Sequence, residues 1–332
     1  MPNSHFDNPL VEQRDLLAGE RIVVLDDKLV ISVTGDDRLT WLNSMLSQNV
    51  SKLTDGDSAE GLLLDAQGRI EQSVHLIAAE AETLLIVAAD QRDKLLAWLD
   101  QMIFRSKVKV AAAEFKVVAS FGKGLSKLVW RDAWSDEPVG SVRYATERGG
   151  AWDYFESLLC EDALEKLLAE TKQAGSLALE ALRVAAHRPA QPNELDDKTL
   201  PHELDWLSSA VHLTKGCYRG QESVAKVHNL GHPPRRLVLL HLDGSGHALA
   251  AAGDQVFVSG TDNAIGRITS IGQHFELGPI ALAVIGRNVD EKAALFVRSE
   301  FGEIAANQET IVPPTAGMAA NLAEKRKNLL GR

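Results

Sequence analysis

The apolar residues between positions 21 and 113 change period in a definite order, and that order most narrows what the chain can fold into. RIVVL (21–25) and LVISVTG (29–35) are short and β-branched, as strands are. Leu39, Trp41, Leu42, Met45 and Leu46 then recur at three- and four-residue spacing. They predict a helix capped by Asp36 or Asp37 and running to about Gln48. After a turn at 54–57, GLLLD (61–65), Gly68 and the runs 69–80 and 83–89 read as a β-hairpin region. Residues 91–105 place Leu95, Leu99 and Met102 on one helical face, and VKVAAA (108–113) returns to strand. The resulting β-α-β-β-α-β order predicts an α+β chain built on ferredoxin-like split modules.

From FKVVAS (115–120) through KLVW (127–130) and GSVRYATE (140–147) the pattern stays mostly strand. Residues 161–175 and 176–188 are helical in period, with Gly175 placed as the C-terminal cap of the first. The stretch 189–206 holds three prolines and the carboxylates Glu194, Asp196, Asp197, Glu203 and Asp205, which predicts irregular surface rather than core. Arg235-Arg236 reads as the charged start of a strand, and from there short strands alternate with glycine turns, predicting a small β-barrel over 236–312 and a tail over 313–332. Residues 20–235 divide at about 113/114 into two modules.

The balance of 35 Lys+Arg against 46 Asp+Glu, a formal charge of −11, disfavours a broad phosphate-binding surface. It leaves room for a local cationic patch at Arg105, Lys107 and Lys109. No apolar run exceeds six residues, against the ~20 a membrane helix needs, so no membrane partner is expected. The N-terminus carries no cationic-then-apolar signal, which predicts a cytoplasmic protein. With two cysteines in all, a disulfide framework is not expected.

The segment with most chemistry is Lys215-Gly216-Cys217-Tyr218-Arg219-Gly220-Gln221-Glu222. Two glycines free the backbone around Cys217, and Lys215 and Arg219 put cations close to it in sequence, which favours thiolate and makes Cys217 a candidate reactive thiol, as nucleophile or soft-metal ligand. The bland alternative is a turn with a packed thiol. Cys160, with no cation beside it, reads as a packed residue. Seven of the ten histidines lie between His187 and His247, but Asn229-Leu230-Gly231 and Pro233-Pro234 argue against a helix that would put His228 and His232 on one face, so no metal is expected. Arg183 reads as a local cap or ion-pair partner on an apolar helix face.

KGCYRGQE followed by SVAKVHNLGHPPRRL closely resembles the signature of the YgfZ family, folate-binding relatives of the glycine cleavage T-protein. VTGDDRLTWLNSMLSQNV, LLLDAQGRI, EALRVAAHRP, TLPHELDWL, GRITSIG and IALAVI resemble further family segments, over roughly residues 20–295. The resemblance implies a T-protein-like arrangement around a central tetrahydrofolate site, with the C-terminal barrel packed alongside. It also implies a role in assembly or repair of iron–sulfur enzymes, with client or assembly proteins as partners. The signature cysteine's part passes to Cys217, with Lys215, Gly216, Tyr218, Gly220, Gln221 and Glu222 shaping its loop, and Arg69, Arg183 and Glu203 match positions that line the folate channel.

Two departures bear on activity. T-proteins carry the aspartate of aminomethyl transfer where this chain has Gln72-Ser73, and a pterin-holding glutamate where it has Ala185. A folate-binding accessory protein is therefore the leading expectation. Aminomethyl transfer in glycine cleavage and a role linked to tRNA modification are the alternatives.

Overall fold

The computed structural model describes residues 3–245 and 249–319. In chain order its elements are α1 (Pro9–Leu17), β1 (Arg21–Val24), β2 (Lys28–Thr34), α2 (Arg38–Met45), β3 (Ser58–Leu64), β4 (Ile70–Ala78), β5 (Glu82–Ala88), α3 (Arg92–Gln101), β6 (Lys109–Ala113), β7 (Lys116–Phe121), β8 (Val129–Arg131) and β9 (Tyr154–Leu159). There follow α4 (Glu161–Glu170), β10 (Lys172–Gln173), α5 (Ser176–Ala185), a short 3-10 turn (Pro201–Leu204), α6 (Leu207–Ala210) and α7 (Gln221–Leu230). The chain then forms β11 (Arg235–Leu242), β12 (Gln255–Val258), β13 (Ala264–His274), β14 (Gly278–Gly286), β15 (Leu295–Ser299) and β16 (Gly302–Thr310).

Two five-stranded sheets and a closed barrel result. The first sheet runs β3-β4-β5-β2-β6, the second β10-β1-β7-β9-β8, and the barrel β11-β14-β13-β12-β15-β16. Strand alternation explains why the first sheet is apolar on both faces. Ile31, Val33, Leu85 and Val87 pack under α2 and α3. Val30, Leu84 and Ile86, one residue out of phase, meet Val117, Ala119 and Phe121 of the second sheet together with Ala178 and Leu182 of α5. The same alternation makes the 237–240 run of β11 apolar on both faces: Val238 and Leu240 fill the barrel, whereas Leu237 and Leu239 face Leu62, Leu64 and Trp206 outside it. At the seam with α5, Gly272 is required, since a methyl there would lie 2.6 Å from the Ala181 Cα.

Several local expectations change. RIVVL joins the second sheet, pairing with β7 and β10, and three strands rather than a hairpin separate α2 from α3. Helix α2 stops at Met45, and Asp37 spends its carboxylate on the Lys107 amide rather than on a cap. GSVRYATE is not strand: its Tyr144 amide is claimed by Asp205. Gly175 is the extended N-cap of α5, beneath Asn3 and Ser4, whose carbonyls accept from Ser176 and Leu177. Cys160 is exposed at the start of α4 rather than packed. Part of the expected tail is docked, with Ala316 buried and the amides of Met318 and Ala319 donating to Gly231 and His228. Residues 320–332, and His247, lie outside the described residues. Among the described residues no helix is long and apolar enough to cross a membrane.

The Cys217 loop is held by one glycine. Gly220 has φ +82°, and a methyl on it would collide with the Asp65 carbonyl, whereas Gly216 has open space around it. Gly220→Ala should therefore cost about 1–2 kcal/mol or more from backbone conformation and collision together, read as a clear drop in chemical-denaturation midpoint. Gly216→Ala should leave that midpoint nearly unchanged.

Candidate functional site

Between the two sheets the aliphatic packing gives way to polar and aromatic side chains. Alternation turns Glu60 of β3 and His75 of β4 inward as directly opposed cross-strand partners. Trp130 of β8 and Glu156 of β9 are opposed likewise in the second sheet. The two pairs meet face to face: the His75 ring stacks on Trp130 at 3.6 Å, and His75 Nδ1 lies 2.7 Å from Glu156 Oε2. Together with Asp132, Trp152 and Tyr154, the α5 residues Glu180 and Arg183, and the 188–193 segment, they wall a cavity of about 340 Å³. That volume falls in the ~300–1,000 Å³ range of small-molecule sites.

The charges of the wall are buried and paired. Glu60 is 4% exposed and accepts from Arg188 at 2.7 Å, Trp206 Nε1 at 2.9 Å and Ser209 Oγ at 2.7 Å. Arg188 Nε donates to Asp132 at 2.8 Å, so this one guanidinium bridges a carboxylate of each sheet. Burial alone would raise the carboxyl pKa values. For Glu60 the Arg188 and His75 charges outweigh burial and hold it well below the usual range. For Glu156, His75 does the same, to about 2. Burial alone would lower the His75 pKa, but Glu156 and Glu60 reverse that and the net shift is upward. Beside them Arg183 is fully engaged by Glu180, Glu194, Ser270 and the Arg188 carbonyl.

Arg183 lines this cavity; Arg69, Glu203 and Cys217 are not part of its wall. Arg69 sits in the turn after β3, its guanidinium near the Asp197 carbonyl. Glu203 is buried against Arg235 at 2.8 Å, tying the 3-10 turn to the barrel. The stretch 189–206 thus takes Glu194 and Glu203 into the interior rather than leaving them on the surface, because Arg183 and Arg235 neutralise them, while Asp196 is half-buried against Arg235 and Asp197 is exposed. Asp205 is buried without such an ion-paired cation among the described residues. It is fully buried with Oδ2 unpartnered, and burial pushes its carboxyl up to about 7.

The signature loop forms a separate element. Lys215 Nζ donates to the Asn43, Leu46 and Gln48 carbonyls, each at 2.7 Å, so it caps the end of α2, and burial lowers it to about 8. Arg219 pairs with Glu71, Gln221 donates to the Lys215 carbonyl, and Tyr218 is buried with its hydroxyl unpartnered. Glu222 lies in the first turn of α7. Gly220 meets Gly68, so the loop packs on the 65–69 turn, with Cys217 exposed. Helix α7 extends to Leu230 and includes His228, contrary to the expectation that the 229–231 sequence excludes a helix there. His228 contacts Tyr144 and His232 the Ala316 carbonyl. Among the described residues no group of three or more His, Cys, Asp or Glu is placed to hold a metal. Gln72 Nε2 donates to the Gln91 side-chain carbonyl, and the Ser73 amide donates to the Gln191 side-chain carbonyl. Glu60, His75, Trp130, Asp132, Glu156 and Arg188 were not singled out by sequence reasoning. For Glu60, His75 and Glu156 the signal is an ionisable residue within a largely apolar strand; Trp130, Asp132 and Arg188 carry none of that kind.

No family model matches the chain. The tRNA-modifying protein YgfZ of Klebsiella pneumoniae (strain 342) is 23% identical over 298 residues, 85% of this chain and 90% of that one. Its counterpart in Escherichia coli O157:H7 is 24% identical over 247 residues, 71% of this chain and 75% of that one. A chloroplastic Arabidopsis thaliana protein, provisionally named a transferase, is 25% identical over 296 residues; the match covers 78% of this chain but 65% of that protein's length. Among solved structures, the glycine cleavage system aminomethyltransferase T from Bartonella henselae matches with a TM-score of 0.71 at 22% identity, covering 92% of this chain and 89% of that one. The chain resembles YgfZ proteins in sequence and has the fold of aminomethyltransferase T, a mixed α and β architecture with a C-terminal closed barrel, as expected.

The pKa shifts set the pH response of stability. Glu60 and Glu156, lowered in the folded state, stabilise above the ordinary carboxyl range and lose that contribution as pH falls through their folded values. Glu156→Gln should therefore flatten the acid side of the stability profile below about pH 4.5. Asp205, raised from 3.8 to about 7, has the opposite sign and costs stability as pH rises through that window. Asp205→Asn should raise the melting midpoint by several degrees at pH 8, the gain vanishing below pH 4.

Proposed function

We propose that this chain is a folate-binding accessory protein supporting iron–sulfur cluster assembly or repair, with tetrahydrofolate or a derivative in the cavity between the sheets. The observation that carries the reading is the cavity wall. Its stacked pairs, His75 on Trp130 and Trp152 on Tyr154, offer flat surfaces for a planar heterocycle. Lys28 lines the same space without an ion-pair partner among the described residues and suits a carboxylate tail. The ring faces and the cation therefore fit a folate, although Ala185 stands where a T-protein holds the pterin with glutamate. When bound, the folate supplies one-carbon carrying capacity; this chain's residues bind and shield it.

Aminomethyl transfer is disfavoured, because Gln72 and Ser73 supply an amide and a hydroxyl where that reaction uses a carboxylate. The Cys217 loop, away from the cavity wall, is assigned to recognition of iron–sulfur client or assembly proteins in the cytoplasm. A role linked to tRNA modification is favoured by the names of the bacterial relatives. It has a local surface in exposed Phe104, Arg105, Lys107 and Lys109, and salt-sensitive tRNA binding abolished by reversing those three cations would establish it.

Calorimetry under anaerobic conditions with tetrahydrofolate should show saturable heat for the wild type. Leu177→Trp, at a half-exposed position on the cavity wall, should weaken binding about tenfold or more by occupying the space. No heat from the wild type removes the folate. Cys217→Ala should retain the heat yet fail to restore iron–sulfur enzyme activity in cells lacking this protein, and full restoration removes the cysteine's role.

A further inference from the structure

The fixed hydrogen-bond donors around the cavity are nearly all spent within the protein. Arg188 is divided among Glu60, Asp132 and the Pro189 carbonyl. Arg183 is likewise saturated. The indole N–H groups of Trp130, Trp152 and Trp206 donate to the Ala59 carbonyl, Asp132 and Glu60, and the Tyr154 hydroxyl donates to Glu156. His75 differs. Its Nδ1 is fixed on Glu156 and one ring face is covered by Trp130, while Nε2 lies 3.6 Å from Glu60 Oε1, beyond hydrogen-bond range. Glu60 Oε1 is already accepting from Arg188 and Trp206, so it is a poor partner for a third strong bond.

We propose that His75 Nε2–H is the donor that orients the bound heterocycle, taking a ring nitrogen or exocyclic carbonyl oxygen as its acceptor. The inference deepens, and rests on, the folate reading of this cavity. The carboxylates on either side serve the ring as well as the fold: Glu156 fixes the ring's orientation through Nδ1, and both favour the imidazolium, whose Nε2–H is the stronger donor. The charged and titratable groups facing His75 are Glu60 from β3, Glu156 and Tyr154 from β9, and Lys28 from β2, with Arg188 and Asp132 behind Glu60. Lys28 and burial oppose protonation, and the two carboxylates prevail. Because this pKa is raised, the charged donor is present at lower pH and disappears as pH rises through the folded value, so affinity falls in that direction. By linkage, an acceptor ligand raises the His75 pKa further.

The test uses the full chain with 5-formyltetrahydrofolate, a folate that resists oxidation. Wild-type affinity, measured by calorimetry across the pH range in which the His75 ring resonance titrates, should fall about tenfold or more as His75 deprotonates. His75→Gln, which keeps an amide donor but cannot charge, should bind about tenfold more weakly at pH 6 and show a flat profile. A second reading needs no substitution: the His75 ring resonance of the wild type, identified by its NOE to the Trp130 indole, should titrate at higher pH with ligand than without. A wild type that binds with a pH-independent affinity, or a His75 pKa unmoved by ligand, overturns the His75 assignment and leaves the folate reading standing. A wild type that does not bind overturns both.

Discussion

The structure depends on one buried cation, Arg188. It is 4% exposed and holds Glu60 of the first sheet and Asp132 after β8 of the second, each also 4% exposed or less. Removing one partner of such a pair typically costs 3–5 kcal/mol, because the remaining charge stays buried without compensation. The consequence is geometric as well as energetic. The two sheets cannot slide relative to each other without breaking charged hydrogen bonds of fixed direction, so the stacked aromatic rings and the His75–Glu156 contact keep their places. The space between them persists as a cavity where aliphatic side chains would have closed it.

Around that bridge the polar groups are graded. Near it the guanidinium and indole donors all have acceptors, and His75 Nε2 stands apart. Three of the buried orphan atoms, Asp205 Oδ2, His202 Nδ1 and the Tyr218 hydroxyl, lie in the segments leading into and through the Cys217 loop. Burial without compensation raises a carboxyl and lowers an imidazole, which is what Asp205 and His202 show. The molecule therefore combines a cavity whose carboxylates and arginines are paired with a polar neighbourhood near the loop that is less well satisfied.

How much of this was legible follows from the range of the forces involved. The existence of α3 and α5, of the strands of the first sheet and of five barrel strands is set by local periodicity and is readable in sequence, although α3 and α5 end at Gln101 and Ala185 rather than at 105 and 188, and the polar β16 gives no strand signal. RIVVL is legible as a strand but not as a member of the second sheet, because strand character is local and strand partnership is not. The 189–206 stretch reads as surface because its carboxylates are visible in sequence and their neutralising arginines are not adjacent to them. Arg235 reaches Asp196 and Glu203 only after the chain has passed through α6 and α7. The same reasoning inverted the roles near Cys217: Lys215, adjacent in sequence, turns to the end of α2, and Arg219 turns to Glu71.

The contact between Gly272 of β13 and Ala181 of α5 has a further meaning. It lets the barrel sit close enough for Ser270 to bond Arg183 and, with Thr269, to bond Glu194, so the barrel forms part of the support of the cavity wall. A cut before β11 looks natural on a map of the chain, but it would leave Arg183 and Glu194 short of partners and uncover Leu62 and Leu64. The boundary near residue 235 divides the chain order, and the hydrogen bonds that support the cavity wall cross it.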